Sequence, residues 1–136
     1  MKYFNYLNSI DENLENKIFY KKPMNLSKNT NFEILKYSLG SFLYIPAIQE
    51  KMLNNVLNKK IHGLSAFAIC LEDSVGDTGE KEAIENLHLF FEKLSIKIKN
   101  NDISKEELPF IFVRPKNEIC LEKISNILYQ YSDLIM

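Results

Sequence analysis

Apolar positions along this chain switch repeatedly between a helical and a strand period. Phe32, Ile34, Leu35 and Leu39 recur at helical spacing, and Gly40 is a stop signal. Ser41-Phe-Leu-Tyr-Ile45 reads as a strand closed by Pro46, which cannot continue a central ladder. Between Ala47 and Lys60 the residues Ile48, Met52, Leu53, Val56 and Leu57 return to helical spacing. Ala66-Phe-Ala-Ile-Cys-Leu71 is uncharged and too short for an ordinary helix, so it predicts a strand buried on both faces. A polar loop from Ser74 to Gly79 follows, in which Asp77 and Glu80 have the spacing of a capping box. The next helix carries Ile84, Leu87, Phe90, Phe91, Leu94 and Ile98 on its inward stripe. Leu108-Pro-Phe-Ile-Phe-Val113 predicts a third strand, and Pro109 suits its beginning. A last helix has Ile119, Leu121, Ile124, Ile127, Leu128 and Tyr131 as its apolar positions.

The order is one helix and then strand-helix three times over. Strands separated by helices of this length pair in parallel through right-handed crossovers, which makes the fold class α/β. Residues 32–136 form this β/α domain. Residues 1–31, rich in Asn, Lys and aromatics, form an N-terminal extension. A short helix near Asp11–Tyr20 is expected there, packing its Phe and Tyr residues onto the larger body.

Composition narrows the function classes. The 136 residues are 46% hydrophobic and 26% charged, an ordinary balance for one globular domain. Lysine plus arginine (17) nearly cancels aspartate plus glutamate (18), which supports neither a nucleic-acid partner nor a membrane surface. No stretch approaches the roughly 18 apolar residues of a membrane span, and the N-terminus lacks a signal-peptide core. Cys70 and Cys120 have no partner spacing, so a reduced, cytoplasmic protein is expected.

The candidate chemistry gathers where the strands end. The second strand stops in Glu72-Asp73 and the third in Arg114-Pro-Lys-Asn117. The carboxyl ends of parallel strands are where ligands and catalytic groups collect. Strand alternation puts Ala66, Ala68, Cys70 and Glu72 on one face, and Asp73 with Phe67, Ile69 and Leu71 on the other. Phe110, Phe112 and Arg114 share a face, and their bulk complements the small residues of the second strand. Glu72 and Arg114 are therefore expected on the same side and at the same end. An ion pair at about 4 Å is worth roughly 4 kcal/mol before desolvation at an effective dielectric near 20. That arrangement serves a ligand site or a salt bridge at a sheet edge equally well. His62 and His88 lack partners at metal spacing. Cys70 reads as a core residue, and Cys120 lies at a helix start. Ser74, Gly76 and Gly79 lack a nucleotide-binding glycine pattern, so ordinary turn chemistry explains them.

Three segments together carry a family resemblance: Leu43-Tyr-Ile-Pro-Ala47, Cys70-Leu-Glu-Asp-Ser-Val75 and Phe112-Val-Arg-Pro-Lys-Asn117. Their order and spacing resemble the start of the HpcH/HpaI aldolase/citrate lyase beta-subunit family, in its carbon–carbon-bond lyase branch. The resemblance implies the N-terminal portion of a TIM barrel, with about three parallel strands and crossover helices. It also implies magnesium-assisted chemistry on an oxo-acid or acyl-type carboxylate substrate. Arg114 matches the family's substrate-anchoring arginine, and Glu72 and Asp73 match its acidic strand end as the candidate catalytic pair. Two departures stand out. Gly40-Ser41 and Ile48-Gln49-Glu50 replace an arginine expected near the first strand. The family's metal-binding acids come from later strands, so no metal ligands are assigned here. The expectation is an incomplete barrel, truncated or split, that is inactive alone or completed by another chain or by oligomerisation. A non-enzymatic interaction module and a small anion-binding α/β domain are the alternatives.

Overall fold

The computed structural model describes residues 10–21, 29–76, 78–105 and 108–135. Its elements run α1 (Glu12–Ile18), α2 (Phe32–Ser38), β1 (Phe42–Pro46), α3 (Glu50–Leu57), β2 (Ala66–Cys70), α4 (Glu80–Lys99), β3 (Phe110–Arg114), α5 (Glu118–Gln130) and α6 (Ser132–Ile135). The three strands form one sheet in the order β1-β2-β3, and both pairings are parallel. Helices connect the strands, as the alternating periods predicted.

Local chemistry sets the helix limits. Asn31 caps α2 by accepting the Glu33 amide at 2.8 Å, and Gly40 follows the helix with φ of 61°. A left-handed residue just past a helix favours glycine, because a Cβ there meets the backbone. Asn117 caps α5 by accepting from the Cys120 amide at 2.9 Å. The cap of α4 differs from the sequence reading: Gly79 occupies it without a side-chain hydrogen bond. Asp77, expected to cap, lies outside the described residues, and Glu80 instead pairs with Lys123 of α5 at 2.7 Å.

The sheet has two unlike faces. Ile45, Phe67, Ile69 and Leu71 point to the helices and are almost wholly buried, with Ile111 and Val113 packed beside them. Leu53 and Leu57 from α3, Ala83, Leu87, Phe90, Phe91 and Leu94 from α4, and Cys120, Ile124 and Ile127 from α5 complete this core. Each such large side chain contributes roughly 1.5–3 kcal/mol by leaving water. Cys120 is therefore a residue of this core; Cys70 is also buried, on the other face of the sheet, and both are free thiols.

The opposite face carries Phe42, Tyr44, Ala66, Ala68, Cys70, Phe110, Phe112 and Arg114 in register. Ala66 and Ala68 are buried although neither belongs to the helix-side core, because aromatic rings from both flanking strands lie over them. The Phe42 and Phe112 rings meet at 5.1 Å between centroids. Small residues on the middle strand thus accommodate large ones beside them, as expected. Those rings remain open above: Tyr44 is 57% and Phe112 42% exposed.

The N-terminal helix forms where expected but packs less. α1 buries no residue and Tyr20 is fully exposed, because a helix of 7 residues presents too short a stripe to dock. On α5, Ile119 and Leu121 are exposed while Cys120 turns inward, so the buried stripe runs 120-124-127.

Candidate functional site

Backbone pairing continues past the strands at their carboxyl ends. The Ala47 amide donates to the Cys70 carbonyl at 2.9 Å, and the Leu71 amide donates to the Arg114 carbonyl at 2.9 Å. Asn86 of α4 adds a tie from behind, donating its side-chain amide to the Ala47 carbonyl at 3.0 Å. The three strand ends are therefore one rigid shelf, and the charged residues stand on its rim.

Arg114 is the last residue of β3 and lies level with Cys70 of β2. Its Nη2 contacts Glu72 Oε2 directly and lies 3.5 Å from Asp73 Oδ2. One guanidinium therefore joins both acids. This corrects the expectation that Glu72 and Asp73 project to opposite faces. Strand alternation ends at Cys70, and the chain from Glu72 enters a turn closed by the Val75 amide donating to the Glu72 carbonyl at 3.1 Å. A turn aims consecutive side chains by its own dihedrals, so the two-residue period no longer applies.

The cluster has two carboxylates and one guanidinium, hence a formal charge of −1 if all are ionised. Glu72 is the more sheltered acid, at 33% side-chain exposure against 76% for Asp73, and Arg114 is 44% exposed. At such exposure the pairs contribute little stability, because solvent screens them. Their value lies in geometry: a guanidinium forks to carboxylates in fixed directions, which an ammonium cannot do. Sequence reasoning overlooked one signal here. Arg114 is the only arginine in a chain whose other cationic side chains are all lysines or histidines.

The remaining candidates stand elsewhere. His62 is exposed in a turn. His88 on α4 meets Tyr131, with Nε2 and the phenol oxygen 3.4 Å apart, and is part of a helix contact. Among the described residues no three His, Cys, Asp or Glu side chains gather as a metal site, and both acids on the rim already face Arg114. The donor set present does not fit a magnesium cage, which needs a near-octahedral set of oxygens.

The parallel β/α units place a paired arginine at the carboxyl ends of their strands, an arrangement shared by barrel and open-sheet α/β proteins. A family model described as C-C_Bond_Lyase of the TIM-Barrel fold matches residues 33–136. The chain belongs to this family of carbon–carbon bond lyases. Neither a curated protein nor a solved structure matches it. No helix among the described residues is long and apolar enough to cross a membrane.

Proposed function

We propose that this chain supplies a substrate-anchoring part of a carbon–carbon lyase of the HpcH/HpaI aldolase/citrate lyase type, acting on an oxo-acid or acyl-type carboxylate. The observation that carries the reading is the Arg114 guanidinium placed between two carboxylates at the carboxyl ends of the strands, in a chain of a lyase family. In this role Arg114 binds the carboxylate of the substrate and holds the scissile bond in one orientation. Glu72, the sheltered partner, keeps the guanidinium aimed. Asp73, more exposed, is the partner that an incoming carboxylate displaces. Binding energy spent on a remote carboxylate in this way orients the reacting carbons. Magnesium, expected from the resemblance, needs donors from other strands.

The open sheet supports a second element of the proposal. A parallel sheet is ordinarily covered on both faces, and a TIM barrel closes only with eight strands. Among the described residues β1 and β3 pair with no strand but β2, and Phe42, Tyr44 and Phe112 are exposed on the face opposite the helix-side core. The site accordingly works when further parallel β/α units close the barrel over these rings. The two free, buried cysteines agree with a reducing, cytoplasmic setting.

The test is an assay of the purified 136-residue chain with magnesium and a panel of citryl, malyl and hydroxy-oxo-acid substrates. It is run alone and with a family-derived fragment carrying the remaining β/α units. We expect no turnover alone, and turnover with the fragment that Arg114→Ala abolishes. Turnover by the chain alone would overturn the need for completion. A closed, folded complex that cleaves none of the panel would overturn the lyase assignment.

A further inference from the structure

Asp73 is 76% exposed, yet it is held within 3.5 Å of Arg114. An exposed carboxylate does not keep such a position through an ion pair alone, because surface pairs hold weakly against side-chain entropy and screening. Its backbone must be placed by something else. The turn that carries it is fastened at Val75, whose side chain is buried in the helix-side core and whose amide closes the turn onto the Glu72 carbonyl. Gly79 lies directly beneath that fastening. A Cβ at Gly79 would come within 2.4 Å of the Val75 carbonyl oxygen and 3.0 Å of its Cγ1. The φ of Gly79 is −88°, open to any residue, so close approach and not backbone conformation demands glycine here. Gly79 also starts α4, its carbonyl accepting the Ala83 amide at 2.9 Å.

We propose that Val75 and Gly79 form a latch that positions Asp73 against Arg114, and that they are positioning residues of the strand-end site. The proposal deepens the anchoring role assigned to Arg114 and rests on it for its functional meaning. A methyl group at position 79 forces either α4 or the turn to move. α4 is a 20-residue helix fixed by Ala83, Leu87, Phe90, Phe91 and Leu94, all buried. The turn is exposed at Asp73, Ser74 and Gly76. The turn is the side that yields. Glu72 stays, because Leu71 before it is bonded to the Arg114 carbonyl. The latch therefore controls one acid of the pair and spares the other, setting whether the guanidinium meets one carboxylate or two.

Arg114 provides the readout, since the only arginine in the chain gives guanidinium NMR signals without overlap from another. Hydrogen exchange of those protons is measured in the 136-residue chain without substrate, for wild type, Asp73→Asn, Gly79→Ala and the double variant. We expect exchange on the order of threefold faster in each single variant, the size set by losing one exposed ion pair. The double variant is expected to be no faster than Asp73→Asn, because both changes remove the same contact. Wild-type exchange in folded Gly79→Ala, or full additivity in the double variant, overturns the latch. Should Gly79→Ala fail to fold, Val75→Ala withdraws the anchor without adding bulk. Acceleration there supports the latch and wild-type exchange overturns it. These signals require no turnover, so failure of the latch and failure of the lyase assignment are separate results.

Discussion

At the scale of single residues, the site depends on a difference between two adjacent acids. Glu72 is the sheltered one and contacts Arg114 directly, whereas Asp73 is exposed at 3.5 Å. Asp73→Asn removes one negative charge and leaves the sheltered pair in place. Small dicarboxylates should then bind Arg114 more tightly, by up to about fivefold at low salt, the range of one exposed pair. Titration of the Arg114 guanidinium signals with malonate measures this, and weaker binding would contradict the displacement role given to Asp73. Arg114→Lys keeps the charge and loses the fork, so malonate affinity, measured by calorimetry, should fall well below wild type. The shared end of Glu72 and Arg114 was legible in the sequence, because both follow the close of apolar runs that form parallel strands ending level with each other. The direction of Asp73 was not. It depends on the turn that begins once β2 has ended, and on the approach of Gly79 to Val75, which is a tertiary contact with no local pattern.

At the scale of elements, α4 is the member to which the others attach. It packs beneath the sheet through Phe67 and Phe90, whose rings meet at 5.9 Å with a 74° tilt. It ties to α3 through Lys93, 2.9 Å from Glu50, and to α5 through the Phe91 and Tyr131 rings, stacked at 5.8 Å. Phe91→Ala should cost about 3–5 kcal/mol, because a large cavity opens among α4, α5 and the sheet. Urea unfolding followed by circular dichroism checks that value, and a loss under 1 kcal/mol, well short of the usual core penalty, would contradict the packing. The Tyr131 phenol gives a pH signature. Burial first, and the nearby Glu92 carboxylate second, raise its pKa above the ordinary value of 10.0. The folded state therefore holds this proton more tightly than the unfolded chain. The stabilisation is full below pH 10 or so and disappears as pH rises through the folded-state value. Tyr131→Phe should remove that alkaline loss relative to wild type in melting curves taken across the range. The helix periods of α3, α4 and α5 were readable from Leu53, Leu87 and Ile124 and their neighbours. The full exposure of Tyr20 was not, since an aromatic side chain in sequence carries no record of whether the short helix before it finds a surface.

At the scale of the whole molecule, the described residues bury the helix side of the sheet and leave rings exposed on the other. Phe42 and Phe112 touch each other over Ala66 and Ala68, which protects the alanines but leaves the rings facing outward. Inside a closed barrel those positions meet side chains from other strands in layers. A polar change there should consequently damage association while sparing the fold, the opposite of a change in the helix-side core. Phe112→Asp is the suitable variant. Phe112 lies level with Ala68 on the open face, two residues before Arg114, and the helix-side contacts of Ile111 and Val113 do not involve it. The isolated variant should keep wild-type circular dichroism. Its sedimentation with a fragment bearing the remaining β/α units should show loss of the complex expected of wild type. The reason is electrostatic: an aspartate carboxylate at this position would be taken out of water among aromatic rings, and Arg114, two residues on, is already engaged by Glu72 and Asp73, so burying the added charge is costly. If Phe112→Asp associates as well as wild type, the aromatic face is not the surface that closes the barrel. If the isolated variant unfolds instead, Phe112 contributes to the stability of the sheet itself, and its half-exposed ring is held by Phe42 more firmly than an open face would require.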